Sequence, residues 1–164
     1  INAIGFRAEL DKLIALAREK GVTDDPVIRQ RLAVAYSKVE VMRFLGYSAL
    51  TAFLNGKKPG PDASIGKLFW AEYHKEVTEL AVDILGADAL TPSGKPALTY
   101  LRSDAVGSPN SSASWVDVFL NARAGSIYAG SSQVQRGIVG EQMLGLPKEP
   151  RADAGPWRAI PGHG

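Results

Sequence analysis

Apolar residues recur along the first half of the chain at intervals of three and four positions, the spacing of amphipathic helices. A first helix is predicted to stop at Gly21, and the segment Asp24-Asp25-Pro26 supplies a cap and a first-turn proline for a second helix that runs to about Phe53. The residues predicted to face inward are Phe6, Leu10, Leu13, Ile14 and Ala17 in the first helix, and Ile28, Leu32, Ala35, Tyr36, Val39, Met42, Leu45 and Tyr47 in the second.

Turn-forming residues at 55–61 separate the second helix from a third, for which Asp62 or Ser64 is the predicted cap. The third helix is expected to have about twenty-five residues and to span roughly 37 Å at 1.5 Å per residue. Residues 87–113 are rich in glycine, proline and serine and are predicted to form a long loop. The apolar stripe of the third helix consists of Ile65, Leu68, Phe69, Tyr73, Val77, Leu80, Ala81 and Ile84.

A short helix over about 114–124 precedes a glycine–serine turn and a last helix. Gly130 permits close approach of a ligand to the backbone, and Ser131 or Ser132 can cap the last helix while its first N–H groups face an anion or a polarised carbonyl. The same residues are also expected at an ordinary helix start, so the turn alone does not establish a site. The residues predicted to face inward in the last helix are Val134, Ile138, Val139 and Met143.

Three long helices and one shorter helix, with neither a convincing alternating strand nor an internal repeat, predict an all-α fold, an antiparallel four-helix bundle. The bundle is predicted to cover residues 1–147, followed by a polar, proline-rich tail over 148–164. The first residue is isoleucine rather than methionine, and helical periodicity begins close to it, so we expect a piece of a longer polypeptide or a trimmed chain.

The composition narrows the function classes. With 19 Lys and Arg against 17 Asp and Glu, the chain lacks the basic excess of a nucleic-acid-binding protein. The absence of cysteine excludes disulfides, thiol nucleophiles and thiolate metal sites, so redox chemistry would need a cofactor. No apolar run of about eighteen residues and no signal-peptide pattern appear. We therefore expect a soluble, cytoplasmic protein without nucleic-acid or membrane partners.

The sequence predicts neither a metal site nor a catalytic triad. Its two histidines, His74 and His163, are too few and too far apart for a ligand cluster, and His74 is expected at the surface. Trp70, Trp115 and Trp157 could pack on a cofactor, but buried anchors of a bundle or a subunit interface are the preferred interpretation.

Residues 127–136, Ile-Tyr-Ala-Gly-Ser-Ser-Gln-Val-Gln-Arg, followed by Leu-Gly-Leu-Pro at 144–147, resemble the signature of the acyl-CoA dehydrogenase family. The resemblance continues through 61–70 and 81–86, and it covers only the C-terminal part of such an enzyme. It implies a C-terminal helical domain of the family type. The activity implied is flavin-dependent oxidation of an acyl-CoA thioester at Cα–Cβ to the 2-enoyl-CoA.

By this resemblance the backbone N–H of Ala129 polarises the thioester carbonyl, and Gly130, Ser131 and Gln133 bind FAD. Solvated first-turn residues are the alternative for Ser131 and Gln133. Many members carry a catalytic glutamate at the position of Ala129, and alanine cannot accept a proton. Others carry that glutamate on the helix that precedes this fragment, so no catalytic residue is assigned within the chain.

A second departure from the family pattern lies where members have glutamine followed by a glycine-rich segment that reaches the flavin pyrophosphate of a neighbouring subunit. Here Asp83 and Ala87 replace glutamine and glycine, and a carboxylate repels phosphate. Asp83 is a candidate FAD contact, and the end of a helix facing water is the alternative. Arg123 is expected to form a salt bridge within the bundle rather than to bind phosphate, and Arg29 and Arg31 are expected on a solvated face.

The partners implied by the resemblance are acyl-CoA, the N-terminal and middle domains of the same protein, further subunits in a homo- or hetero-oligomer, and an electron-transfer flavoprotein. A non-catalytic structural partner subunit of a heteromeric acyl-CoA dehydrogenase is the alternative, favoured by Ala129, Asp83 and Ala87. A glutamate in the helix upstream of Ile1 would favour the enzyme.

Overall fold

The computed structural model describes residues 3–58, 60–93 and 111–148. Helices dominate these ranges and confirm the predicted all-α fold. The five α-helices are α1 (Ala3–Glu19), α2 (Pro26–Leu54), α3 (Asp62–Leu85), α4 (Trp115–Ala122) and α5 (Ser132–Ile138). Short 3₁₀ turns follow α3 at Gly86–Leu90 and α4 at Arg123–Ser126, and a π-helical turn at Val139–Met143 continues α5. Helix α3 contacts the other four helices and forms the centre of the bundle.

The connection between α1 and α2 forms as its residues predict. Gly21 has a φ of 66°, and its N–H donates to the Arg18 carbonyl (3.0 Å) while the Val22 N–H donates to the Ala17 carbonyl (3.0 Å). These paired bonds end α1 in a Schellman motif. Asp25 then caps α2 by accepting from the N–H of Val27 at 2.7 Å. The motif that ends α1 and the cap that begins α2 lie within a few residues of each other, so the connection is short.

The core lies between α1, α2 and α3, as the apolar stripes predict. The inward prediction is wrong at two positions of α2, because Tyr36 and Tyr47 are 45% and 56% exposed. Helix α2 buries only the narrow strip next to α1 and α3, and both tyrosines lie outside it. The buried cluster consists of Phe6, Leu10, Leu13, Ala17, Ala35, Val39, Met42, Tyr73, Val77, Leu80, Ala81 and Ile84.

The start of α3 differs from the expected capping. Pro61 occupies the cap position without a side-chain cap bond, so neither Asp62 nor Ser64 caps the helix. Asp62 instead accepts a bond from the N–H of Gly60 at 3.2 Å, and Ser64 is buried inside the helix. The helix already begins at Asp62, one residue earlier than a cap at Asp62 requires, and the carboxylate points back toward Gly60.

His74 is not at the surface. It is 2% exposed, and its Nε2 lies 3.1 Å from Oε1 of Glu9, which is equally buried. Because α3 is covered on several sides, its buried face is wider than a single apolar stripe and includes Thr78. Trp70 and Trp115 pack partly buried against the core, as expected. His163 and Trp157, most of the predicted loop over 87–113 and all but the first residue of the predicted tail lie outside the described residues.

Ser114 is the N-cap of α4. Its Oγ accepts from the Asp117 N–H at 3.1 Å and donates to the Asp117 carboxylate at 2.8 Å, and the residue is buried. We expect Ser114→Ala to lower the free energy of unfolding by about 1 kcal/mol, measured by urea denaturation. Ser37→Ala, at an exposed mid-helix position, should change it by less than about 0.5 kcal/mol. Equal effects of the two substitutions would contradict the cap assignment.

Candidate functional site

The segment before the glycine–serine turn is fixed on α3. Lys67 donates from Nζ to the Gly125 carbonyl at 2.6 Å, and burial lowers the pKa of Lys67 below its usual range. Trp70 covers Gly125, where a Cβ would lie 3.4 Å from the indole ring. The first half of α3 therefore determines where the turn begins.

Arg123 also belongs to this anchor, and the predicted interaction within the bundle is confirmed. Its guanidinium donates to the Lys75 carbonyl at 3.1 Å and lies 3.7 Å from the Glu79 carboxylate. The same group lies 4.3 Å from the centroid of the Phe119 ring. Its donors contact α3 and α4.

The turn itself combines local hydrogen bonds with two left-handed residues. The N–H groups of Ile127 and Tyr128 both donate to the Ala124 carbonyl, at 2.9 and 3.0 Å. Ala129 follows with φ at 52° and Gly130 with φ at 90°. The left-handed conformation costs a residue other than glycine about 1 kcal/mol, so surrounding contacts must stabilise Ala129.

Ser131, and not Ser132, caps α5. Its Oγ accepts from the Val134 N–H at 3.3 Å, which confirms one of the two predicted caps. The inward prediction for Val134 and Met143 is wrong, since they are 55% and 40% exposed. A helix that starts at Ser132 turns Val134 outward, and the following π-helical turn changes the register before Met143.

Gln135 is the residue of this region that the sequence interpretation missed. It is only 8% exposed, and its Nε2 donates to the Ala129 carbonyl at 3.2 Å. A Cβ on Gly130 would lie 2.3 Å from this nitrogen, so the carboxamide fills the space that the glycine leaves. Its position four residues after Ser131, one turn along the helix, was the available signal.

The opposite side of the turn presents unused donors. Within the described ranges no group accepts a hydrogen bond from the backbone N–H of Ala129 or Gly130. Ala129 and Gln133 are exposed, and the capping bond leaves the Ser131 hydroxyl proton free to donate. These donors fit the carbonyl of a thioester and the polar groups of a flavin. The prediction that Gly130, Ser131 and Gln133 contact FAD is compatible with this geometry and stays a prediction.

The structure does not bring Asp83 to the turn. Asp83 lies sixteen positions after Lys67 on α3, which corresponds to about 24 Å along the helix axis. Its carboxylate accepts from the Arg31 guanidinium at 2.6 Å, and both side chains are partly exposed. Arg31 thus lies on a partly exposed helix face, in line with the expected solvated face, and its pairing with Asp83 is an addition from the structure. A carboxylate does not fit a phosphate directly, but this ion pair offsets its charge.

Residues 1–144 match the family model described as acyl-CoA dehydrogenase, C-terminal domain. The chain belongs to the acyl-CoA dehydrogenase family. It is 35% identical over 146 residues to the acyl-CoA dehydrogenase IpdE1 of Mycolicibacterium smegmatis, covering 89% of this chain and 32% of that protein. For the Mycobacterium tuberculosis protein of the same name the identity is 36%, covering 89% of this chain and 34% of the relative. The chain thus spans about a third of the length of these curated relatives.

Two solved structures have a similar fold. The structure titled "Tcur3481-Tcur3483 steroid ACAD" superposes with a TM-score of 0.66 at 27% identity, covering 85% of this chain and 34% of that one. The ChsE4-ChsE5 complex from Mycobacterium tuberculosis superposes with a TM-score of 0.63 at 24% identity, covering 92% of this chain and 37% of that one. Both titles name two proteins.

Within the described part of this acyl-CoA dehydrogenase domain, no helix is both long and apolar enough to cross a bilayer. Across residues 3–58, 60–93 and 111–148, no three or more histidine, cysteine, aspartate or glutamate side chains are grouped as metal ligands would be.

Proposed function

We propose that this chain is the C-terminal domain of a flavin-dependent acyl-CoA dehydrogenase that oxidises an acyl-CoA thioester at Cα–Cβ to the 2-enoyl-CoA. The observation that carries the proposal is the pair of backbone donors at Ala129 and Gly130, unused within the described residues and held in a turn that is anchored on both sides. FAD, when bound, supplies the hydride acceptor. The domain contributes to FAD binding and to oligomerisation.

In this proposal the residues of the turn have different roles. The Ala129 N–H donates to the thioester carbonyl and stabilises the negative charge that develops there as the α-proton leaves. The Ser131 hydroxyl and the Gln133 carboxamide hold FAD, and Gly130 keeps the turn in its left-handed course. Asp83, paired with Arg31, belongs to a contact with the flavin of a neighbouring subunit.

The α-proton must pass to a base outside this chain. The methyl side chain of Ala129 cannot accept it, and no catalytic residue is assigned here. A glutamate on the preceding helix, facing the same substrate carbon, takes this role in the proposal. This domain then has to hold the thioester carbonyl so that the α-carbon of the substrate faces the glutamate carboxylate.

The partners proposed are the N-terminal and middle domains, further subunits, acyl-CoA and an electron-transfer flavoprotein, in the cytoplasm. The C-terminal half of α2 has an apolar surface that another domain or subunit would cover, since five large apolar side chains there are more than half exposed in this chain. The two-protein titles of the related structures favour subunits of different kinds. The exposed side chains are Phe44, Tyr47, Leu50, Phe53 and Leu54.

The alternative is a non-catalytic structural partner subunit of a heteromeric acyl-CoA dehydrogenase. Ala129, at the family's glutamate position, favours it, as does the carboxylate of Asp83. The donors retained at the turn favour the enzyme.

The test is the visible absorbance spectrum of the complete protein, before and after anaerobic addition of acyl-CoA. We expect an oxidised-flavin band that bleaches with substrate, because hydride transfer reduces the flavin. A straight-chain and a steroid-derived acyl-CoA should be compared, since one related structure is titled a steroid enzyme. A colourless protein that gains flavin only beside a second subunit would instead support the structural partner. A protein that takes up no flavin in either setting would overturn both proposals.

A further inference from the structure

We infer that Gln135 is a positioning residue for the proposed acyl-CoA site. Its carboxamide holds the peptide group between Ala129 and Gly130 in the orientation that keeps the N–H of Gly130, one of the two unused backbone donors of the turn, pointing outward. The inference rests on the proposed function, and nothing in the family resemblance assigned a role to this side chain. It follows from the contacts of one buried polar residue.

The orientation follows from the planarity of the peptide group. In a trans peptide the carbonyl of one residue and the N–H of the next point in opposite directions. Gln135 binds the Ala129 carbonyl on the buried side at 3.2 Å. The N–H of Gly130 therefore points away from Gln135, toward the side where the described residues offer it no acceptor.

The conformation of Ala129 explains why this bond is needed. Its φ of 52° lies in the left-handed region, which alanine leaves for negative φ when nothing holds it. Relaxation there would rotate the following peptide, and Gly130 would not resist because glycine tolerates either sign of φ. A buried hydrogen bond contributes a free energy comparable to the cost of the strained residue. The bond from Gln135 thus offsets the strain at Ala129, and the conformation of Ala129 sets the direction of the Gly130 N–H.

The role can be tested in the complete protein with Gln135→Ala and Gln135→Glu. Alanine removes the donor, and glutamate keeps the length but places a carboxylate against the Ala129 carbonyl. If the turn donors act mainly in the transition state, we expect kcat to fall roughly tenfold in each variant. KM and flavin content should stay within about twofold, because losing an interaction made only in the transition state lowers kcat without changing KM. A general structural defect would not produce this split between kcat and KM.

A second readout is independent of flavin and substrate. Hydrogen exchange should accelerate by roughly tenfold at the hydrogen-bonded amides of Ile127, Tyr128 and Val134, since losing about 1.4 kcal/mol of local stability is a tenfold change in opening. Gln142→Ala is the matched control, because Gln142 is exposed on the same segment. It should leave both kcat and exchange at the wild-type values.

The outcomes separate the two proposals. If the wild-type protein reacts with acyl-CoA while Gln135→Ala has wild-type kcat and exchange, the role of Gln135 is overturned and the proposed function stands. If the wild-type protein neither binds flavin nor reacts with acyl-CoA, the proposed function and the substrate role of Gln135 are both overturned. Exchange then still decides the structural part, because acceleration in Gln135→Ala but not in Gln142→Ala supports the hold on the peptide.

Discussion

Replacing Gly130 with alanine is expected to lower the free energy of unfolding by about 2 kcal/mol, from backbone strain and one lost hydrogen bond. The backbone at this position has a φ of 90°, where an L side chain is strained. The new Cβ would also lie 2.3 Å from Nε2 of Gln135, so the carboxamide must leave the Ala129 carbonyl. Under the proposed function, the displaced donors should reduce kcat/KM for acyl-CoA on the order of 100-fold.

Gly137→Ala is the control for the same chemical change. Gly137 lies in α5, and a Cβ there would have nothing within 4 Å. Alanine should stabilise this helical position by about 0.5–1 kcal/mol. Urea denaturation and steady-state kinetics measure the two effects. Equal stability of the two variants would contradict the close contact between Gly130 and Gln135.

The second large effect is expected at the buried pair of Glu9 and His74. His74→Phe keeps an aromatic ring beside Phe6, whose ring centroid lies 5.9 Å from the imidazole, but removes the group 3.1 Å from the Glu9 carboxylate. Leaving a buried carboxyl group without this partner should lower the free energy of unfolding by about 3 kcal/mol. Thermal and urea unfolding both report the change.

A double variant separates the loss of the bond from poor packing. Glu9→Met combined with His74→Phe removes both polar groups, so the double variant should be less destabilised than the His74→Phe variant. Arg31→Ala breaks the partly exposed ion pair with Asp83 and should cost under about 1 kcal/mol. If His74→Phe were as mild as Arg31→Ala, the buried pair would contribute little to stability.

Most of the helical framework could be predicted because its signals are local. The φ of Gly21, the cap at Asp25 and the apolar stripe of α1 depend on residues that are neighbours along the chain. Tyr36 shows the limit of that reasoning. It continues the apolar periodicity of α2, but its burial depends on how far another helix covers that side, and the residue stays 45% exposed.

The candidate site was predicted in part for the same reason. The family resemblance pointed to Gly130 and Ser131, and the cap at Ser131 formed as expected. Gln135 was missed because its chemistry is revealed only when the turn folds back over it. Asp83 could be identified as a departure from the family pattern, but its pairing with Arg31 joins residues fifty-two positions apart.

The sequence by itself determined the helical fold class, the major turn and cap signals, and the membership of the family, because periodicity, capping and motif spacing are properties of short segments. Only the tertiary structure decided that His74 is buried on Glu9 and that Gln135 fills the space at Gly130. It also decided which apolar face of α2 is covered. These features depend on the helix faces that meet after folding, and burial then selects which polar groups must find partners.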